Sequence, residues 1–253
     1  MTMPDNAPKL DTAEVRAARR ELAACFRMAA RLGMHEGICN HFSAVVPGYA
    51  ELFLVNPFGY AFSEVTASSL LICDFEGNVV AGDGVPESTA FHIHAQLHRL
   101  KPHARVAFHT HMPYATALAM IDAEPLSYAG QTAARFFGRV ALDKDYNGLA
   151  LDDSEGARIA RAIGDADIVF MRNHGVMVLA GSIAEAWDDL YYLERACEVQ
   201  VLAMSTGKPL LPIDRELARK TGEQIMGEAA AAAGLHLASI QRQLDRDEPD
   251  YSN

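Results

Sequence analysis

Two short histidine motifs, each following a hydrophobic run, constrain the fold of this chain more than any other feature. The first is His109–His111 (His-Thr-His) and the second is Arg172–Gly175 (Arg-Asn-His-Gly). Residues two apart in an extended strand point to the same side, so the two imidazoles of the first motif would be directed toward one point. A second buried strand would deliver His174 to a turn opened by Gly175. The pattern predicts two strand ends that meet at a divalent-metal site.

Three imidazoles, from His109, His111 and His174, would leave coordination positions on a metal ion open. Open positions distinguish catalytic sites from structural zinc sites, which four protein ligands normally close. We expect about one divalent ion per chain, and zinc, manganese or iron would each suit imidazole ligands. Two alternatives remain: the three histidines are unrelated polar residues, or His94 and His98, four apart on one helix face, bind the metal. Hydrogen bonding within the structure is the expected role of that second pair.

Composition limits the class of protein. The chain has 253 residues, of which 50% are hydrophobic, and this is enough for a single domain over 1–253. Apolar stretches are too short to cross a bilayer and the N-terminus lacks a secretion signal, so we expect a cytoplasmic protein without membrane association. The net charge of -11 argues against nucleic acid as a partner, because phosphate binding needs a basic face. Four cysteines lack metal-ligand or disulfide spacing and are expected to be reduced: Cys25, Cys39, Cys73 and Cys197.

Helix and strand signals alternate through the N-terminal half. Asp11 with Glu14 resembles a capping box and opens an amphipathic helix that Gly33 would stop. Turn formers fill 35–43, so we expect a polar loop there. The remaining expectations are strands at 51–55, 70–73 and 78–81, the last two as a hairpin, a helix with Pro86 in its first turn, and a later helix capped by Ser154.

A long helix is expected in the C-terminal half, where Ser182 and Glu185 form a second capping box. An aromatic stripe at helical spacing follows: Trp187, Tyr191 and Tyr192. Such a stripe indicates core, or a subunit interface if the side chains are exposed, and Tyr192 is also a candidate substrate contact. From about residue 208 we expect a helical C-terminal extension that Gly234 interrupts, ending in a flexible tail.

Five motifs together resemble the class II aldolase and adducin N-terminal domain superfamily, over roughly Val15 to Met204. They are Gly37–Ser43, Thr66–Ser68, Pro86–Ser88, His109–His111 with Ala115 and Thr116, and Arg172–Gly175. The resemblance implies an α/β fold, a three-layer α/β/α sandwich with a mainly antiparallel central sheet. It also implies that His109, His111 and His174 bind the catalytic metal, that Glu87 is the acid/base residue, and that the protein is a homotetramer with active sites near subunit interfaces.

Two comparisons within the family bear on the function, one on the substrate and one on whether the chain is an enzyme. Sugar-phosphate aldolases of the family hold phosphate with hydroxyl-bearing residues, whereas this chain has Phe58, Val85 and Pro86 at those places. Because phosphate binds best to hydroxyls, amides and cations, an unphosphorylated substrate is favoured. Adducin-like structural members lack the complete metal constellation, which this chain keeps. The pattern is similar to the branch containing metal-dependent decarboxylases of hydroxylated aromatic or pyridine carboxylates.

These observations predict a divalent-metal-dependent carbon–carbon lyase, a decarboxylase or aldolase, acting on a small unphosphorylated hydroxy-carboxylate or hydroxy-ketoacid. The alternatives are a non-haem iron oxygenase with the same histidines and an adducin-like interaction module. Glu87 would transfer protons, or would simply stabilise the start of a helix. Asn40 and Ser43 are candidate substrate contacts, although both residue types are also ordinary in turns.

Overall fold

An eight-stranded sheet forms the centre of the computed structural model, which describes residues 10–253. The strands are β1 (His41–Val45), β2 (Leu52–Val55), β3 (Leu71–Asp74), β4 (Val79–Ala81), β5 (Val106–Thr110), β6 (Val140–Asp143), β7 (Ile168–Met171) and β8 (Gly175–Ala180). The helices are α1 (Ala13–Arg31), α2 (Ser88–Leu100), α3 (Pro113–Ala119), α4 (Gln131–Ala134), α5 (Asp153–Ile163), α6 (Ile183–Met204), α7 (Arg215–Met226) and α8 (Ala229–Asp247).

The sheet has the order β4-β3-β2-β1-β5-β8-β7-β6. Within residues 10–253, only β6 and β7 pair in parallel and every other neighbouring pair is antiparallel. The predicted α/β fold with a mainly antiparallel sheet is therefore confirmed. Strand β5 lies at the centre, between β1 and β8, and its His109 stands opposite His41 of β1. This register brings two histidines from distant segments side by side.

Helices pack on both faces of the sheet because side chains alternate along each strand. On one face Phe42, Phe108 and Phe170 join a core with residues of α1 and α6, including Trp187. On the opposite face Ala107, Val169 and Met177 pack with residues of α2 and α5, including Leu97 and Ile159. Burying one such large side chain contributes about 1.5–3 kcal/mol, so these two layers fix the strands that carry the histidine motifs.

Three helices begin at a different residue from the one that the sequence predicts. Thr12, not Asp11, caps α1 and accepts a hydrogen bond from the backbone of Val15. Glu87 caps α2, so Pro86 lies before the helix and not in its first turn. Asp152, not Ser154, caps α5. In each case the residue directly before the first turn has an extended backbone and a side-chain oxygen that reaches the exposed amides. Ser182 caps α6 as predicted, and accepts from the amide of Glu185.

Strand β1 lies partly inside the segment 35–43, which we expected to be a loop. Its polar residues His41 and Ser43 are buried, with 3% and 0% of their surface exposed. Local turn propensity is overridden here because β2 and β5 supply hydrogen bonds on both sides and distant side chains satisfy the polar groups.

The C-terminal region also differs from expectation. Gly234 lies within α8 without interrupting it. The flexible tail is contradicted: Tyr251 is fully buried, and the carbonyls of Tyr251 and Asn253 accept hydrogen bonds from Ala67 and Ser68 at 2.9 and 2.7 Å. Within residues 10–253, none of the helices combines the length and apolar composition that a membrane crossing requires.

Candidate metal centre

The two histidine motifs meet at one end of the central strands. His109 lies in β5, His111 follows one residue after that strand, and His174 occupies the turn between β7 and β8. One ring nitrogen from each lies within 4.8 Å of the others. The ring centroids are 4.8 to 5.0 Å apart. The structure thus brings together the three residues that the sequence predicts as ligands, on elements that are themselves fixed by the core.

The turn that carries His174 is built differently from the prediction. Gly175 does not open it but begins β8, and Asn173 adopts the left-handed backbone conformation with a φ of 58°. A Cβ on Gly175 would lie 2.6 Å from the Thr110 carbonyl oxygen and 2.7 Å from Cδ2 of His111. Glycine is therefore needed here because the backbone passes directly beside a proposed ligand.

Hydrogen bonds orient two of the three imidazoles. Nδ1 of His109 lies 2.9 Å from the carbonyl oxygen of Val176, and Nδ1 of His111 lies 2.6 Å from Oε2 of Glu36. Since a carbonyl can only accept, Nδ1 of His109 donates and its Nε2 carries the lone pair. Nε2 of His111 is buried and has no hydrogen-bond partner within residues 10–253. A buried polar nitrogen without a partner is costly, and a metal ion would satisfy it.

Burial lowers the pKa of His109 and His174 and so favours the neutral, ligand-competent form of these two histidines. It lowers the pKa of His174 to about 4, with His111 adding a smaller effect in the same direction. It also holds the pKa of His109 well below the usual range. Metal ions bind the neutral imidazole, so these two ligands need not lose a proton at neutral pH. The chemistry of this donor set fits a divalent ion.

A cavity of about 630 Å³ opens beside the three histidines. Its wall includes Glu87, Phe58, Tyr146, Arg158 and Arg172. Arg158 is neutralised, because both oxygens of buried Asp143 lie 2.7 and 2.8 Å from its guanidinium and Glu155 binds it as well. Arg172 has a weaker partner, the fully exposed Asp122 at 3.6 Å. Its Nε is buried and unbonded within residues 10–253.

The position of Glu87 is compatible with both roles that the sequence left open. Its Oε2 accepts a hydrogen bond from the amide of Ala90 at 2.8 Å and a short one from the hydroxyl of Thr89, so it caps α2. The same residue lines the cavity with the histidines. A helix cap and a proton-transfer group are compatible here, because both capping bonds go to one carboxylate oxygen.

The remaining predicted contacts take other positions. Asn40 is buried, and its Oδ1 accepts from the amides of Glu36 and His111 at 2.7 and 3.3 Å, which ties the loop to the ligand segment. Ser43 is fully buried, away from the cavity wall. Tyr192 lies on α6, where its ring contacts the guanidinium of Arg135 at 5.1 Å. The structure brings none of these three to the cavity wall of this chain.

The expectation of hydrogen bonding for His94 and His98 is confirmed, since both rings are buried and bonded to neighbouring groups. Sequence reasoning missed His41, which lines the cavity, and Glu36, which binds His111. One signal for His41 was available: His41 and Ser43 have the same two-residue spacing as His109 and His111, which indicates a strand. No local signal pairs Glu36 with His111.

The family model of the class II aldolase and adducin N-terminal domain matches residues 20–201. Decarboxylase NovR of Streptomyces niveus is 33% identical over 229 residues, covering 88% of this chain and 84% of NovR. A Streptomyces roseochromogenus subsp. oscitans protein named 4-hydroxy-3-prenylphenylpyruvate oxygenase/4-hydroxy-3-prenylbenzoate synthase is 33% identical over 229 residues, covering 88% and 82%.

Two solved structures show the same fold along most of the chain. An aldolase II superfamily protein from Pseudomonas syringae has a TM-score of 0.89 at 33% identity, covering 96% of this chain and 97% of the other. An L-fuculose 1-phosphate aldolase from Glaciozyma antarctica has a TM-score of 0.83 at 26% identity, covering 96% of each chain. The fold, the histidine motifs and these matches agree, and the chain belongs to the class II aldolase and adducin N-terminal domain family.

Proposed function

We propose that this protein is a divalent-metal-dependent carbon–carbon lyase, a decarboxylase or aldolase, that acts on an unphosphorylated hydroxy-carboxylate or hydroxy-ketoacid. One observation carries the proposal: the nitrogens of His109, His111 and His174 converge beside a cavity, and one of them, Nε2 of His111, is buried without a partner in the described chain. Membership in the class II aldolase and adducin N-terminal domain family and similarity to a protein named decarboxylase NovR support the reaction class.

The positions of the side chains assign charge stabilisation to the metal that the histidines would hold and proton transfer to Glu87. When bound, zinc, manganese or iron would act as a Lewis acid and stabilise negative charge that develops on a substrate oxygen as the carbon–carbon bond breaks. Glu87, on the cavity wall, would remove a substrate hydroxyl proton or return a proton to carbon. Its capping bonds to Thr89 and Ala90 hold the carboxylate in place while it does so.

Arg172 on the cavity wall supports a carboxylate-bearing substrate. Arg172 is the cavity-wall cation with a poorly held partner, whereas Arg158 is already neutralised by Asp143 and Glu155. A guanidinium whose recorded partner is an exposed carboxylate at 3.6 Å is available to bind a substrate carboxylate. We propose that Arg172 binds this carboxylate and so fixes the scissile bond relative to the histidines.

The absence of phosphate from the substrate is supported by the nature of the cavity rim. Phe58 lines the cavity and has 53% of its surface exposed, and its amide donates to the carbonyl of Val85 at 2.9 Å. An aromatic ring at this place offers phosphate no donor. Likeness to an L-fuculose 1-phosphate aldolase makes a sugar phosphate the competing substrate, and efficient cleavage of fuculose or ribulose phosphates would contradict the proposal.

An iron-dependent oxygenase is the second candidate, because one relative carries oxygenase in its name. Histidine ligands bind iron as readily as zinc or manganese, so the donor set does not separate the two reactions. Oxygen dependence does separate them. A lyase turns over under anaerobic conditions without consuming oxygen, whereas an oxygenase requires oxygen for every turnover.

Assembly and location complete the proposal. We propose a cytoplasmic homotetramer with active sites near subunit interfaces. Exposed apolar side chains on α6 support a subunit contact: Tyr192, Val199 and Leu202 have 37%, 62% and 54% of their surface exposed. Light scattering of the purified protein should give the mass of four chains. A mass of one chain, near 27.5 kDa, would contradict the homotetramer.

The reaction is tested by an anaerobic screen of unphosphorylated hydroxy-carboxylates and hydroxy-ketoacids with metal-loaded protein, following carbon dioxide and aldehyde together. Release of either product, lost after chelation and in the variant His111→Ala, would support the lyase. His92→Gln is the matched control, because His92 lies on α2 outside the cavity wall and bonds to Asp153. Product formation that appears only with oxygen would support the oxygenase instead.

A further inference from the structure

Four buried side chains form a continuous hydrogen-bonded row behind the metal centre, which we call the histidine network: His41, Ser43, His94 and His98. His41 Nδ1 lies 2.7 Å from His94 Nε2, and His94 Nδ1 lies 2.5 Å from the Ser43 hydroxyl. The same hydroxyl lies 2.7 Å from His98 Nε2. His98 Nδ1 lies 2.9 Å from the carbonyl oxygen of Ala104. The four side chains have between 0% and 5% of their surface exposed.

The Ala104 carbonyl determines where the protons lie at that end of the network. A carbonyl oxygen can only accept, so Nδ1 of His98 donates. Burial lowers the pKa of His98 to about 4, so the ring is neutral and its Nε2 carries a lone pair. That lone pair accepts the single hydroxyl proton of Ser43.

The positions of the remaining protons, on His94 and His41, then follow in turn. Because the Ser43 proton is already committed, its contact with His94 must be a donation from Nδ1 of His94 to the hydroxyl oxygen. No carboxylate is hydrogen-bonded to the network within residues 10–253, and an unpaired imidazolium buried this deeply is strongly disfavoured. A neutral His94 has its lone pair on Nε2, which therefore accepts from Nδ1 of His41. Nε2 of His41 is left with a lone pair.

His41 stands between this network and the metal centre. It lines the cavity, and its ring centroid lies 4.8 Å from that of His109. It does not belong to the set of mutually close ligand nitrogens, which comprises His109, His111 and His174. A cavity-wall imidazole whose Nδ1 is used from behind presents one acceptor, Nε2, on its other nitrogen.

We propose that Ser43, His94 and His98 are positioning residues that hold His41 in a single tautomer, and that Nε2 of His41 accepts a hydrogen bond from a substrate hydroxyl beside the metal centre. The hydroxyl partner rests on the proposed function, whereas the tautomer does not. His41 is thereby a substrate-binding residue that selects for a hydroxyl donor: a substrate with an ether or hydrogen at that position would leave the lone pair unsatisfied.

The tautomer is tested by nitrogen-15 NMR of zinc-loaded protein labelled at histidine, because protonated and bare ring nitrogens give well separated signals. We expect His41, His94 and His98 each to carry the proton on Nδ1. In Ser43→Ala the network loses its central hydroxyl, so His94 and His41 should no longer show one tautomer, while zinc content stays unchanged. His92→Gln, on the same helix but outside the network, should leave all three spectra as they are. A proton on Nε2 of His41 in the unaltered protein would overturn the inference.

The acceptor role is tested with two small probes, glycolate and methoxyacetate, which differ by a hydroxyl and its methyl ether. Calorimetric titration of the zinc-loaded protein should favour glycolate, and Ser43→Ala should reduce that preference by roughly 3- to 10-fold, the scale of one hydrogen bond. An unchanged preference would overturn the positioning role. If Ser43→Ala does not fold, His98→Gln breaks the network at its other end and gives the same two readouts, the ring tautomers and the preference for glycolate.

Failure of the proposed function and failure of this inference give different results. Protein with the expected tautomers but without lyase activity would contradict the proposed function and leave the tautomer assignment intact. An active lyase with a proton on Nε2 of His41 would contradict this inference alone.

Discussion

Two groups of histidines lie within a few ångströms of each other in this protein and have opposite hydrogen-bonding patterns. In the metal centre, His109 and His111 each use Nδ1 for one partner from behind and keep the other nitrogen for the site. In the network, His94 and His98 have both ring nitrogens bonded. The number of nitrogens already used therefore sets His94 and His98 apart from the ligands. His41 of the same network also keeps Nε2 free, but it lies outside the set of mutually close ligand nitrogens. Sequence spacing alone does not separate the two groups, because both carry histidines at spacings that bind metal.

The largest effect expected at the site is on proton transfer. Glu87→Gln should lower turnover roughly 100-fold or more while metal content stays nearly constant, because the amide is almost isosteric and the three imidazoles remain. The amide oxygen can still accept from Ala90, so α2 should keep its cap. Glu185→Gln, which changes a glutamate at the start of another helix, α6, is the control and should not affect turnover. Near-normal turnover would reduce Glu87 to a helix cap, and loss of metal in step with activity would make it a ligand.

The network should make stability fall in acid. Burial lowers the pKa of His98 from an ordinary value of 6.5 to about 4, so between these values the unfolded chain binds more protons than the folded one. The contribution of His98 to the free energy of unfolding should therefore fall by about 3 kcal/mol as pH drops from about 6.5 to about 4. Chelator-treated protein unfolded in urea across this range measures the slope.

Two variants on α2 sharpen that measurement. His98→Gln removes one of the buried titrating groups and should make the slope shallower by the share of that group, whatever its effect on absolute stability. His92→Gln should keep the slope, because His92 is partly exposed and bonds to Asp153 outside the network. A slope in His98→Gln as steep as in the unaltered protein would contradict the assignment of a buried neutral imidazole.

Gly175 leaves the space that the His111 imidazole of the metal centre occupies. In Gly175→Ala the new Cβ would meet a backbone oxygen at 2.6 Å and His111 at 2.7 Å, so the imidazole must move. We expect metal affinity to fall roughly 10- to 100-fold and stability to fall by about 1–3 kcal/mol. Gly234→Ala is the control, since nothing lies within 4 Å of its added Cβ and it sits inside α8, where alanine stabilises by about 0.5–1 kcal/mol. Metal titration and urea unfolding of both variants provide the check.

The smallest effect is expected from the outer partner of His111. Glu36→Gln keeps an acceptor but removes the charge behind Nδ1, so metal affinity should fall roughly 10-fold. Glu76→Gln alters a similarly exposed glutamate that binds Arg99 away from the site, and should have no effect on metal binding. Equal affinities for the two variants would show that Glu36 does not orient the ligand.

Sequence pattern predicted the parts of the site that depend on local periodicity. The two-residue spacing in β5 placed His109 and His111 together, and the second hydrophobic run placed His174 opposite them. The parts that depend on long-range partners were not predictable. Ser43 was expected to be a substrate contact or a turn residue, because its hydroxyl partners, His94 and His98, lie 51 and 55 residues away. The C-terminal tail was expected to be flexible for the same reason, since its partners lie near Ala67.

Metal content tests the central claim most directly. Elemental mass spectrometry of the purified protein should find about one divalent ion per chain. Each of three variants should lose most of this metal: His109→Ala, His111→Ala and His174→Ala. His98→Gln should retain the metal, because both nitrogens of His98 are already bonded in the network. Unchanged metal content in all three ligand variants, with loss in His98→Gln, would contradict the account and assign the ion to the histidines of α2.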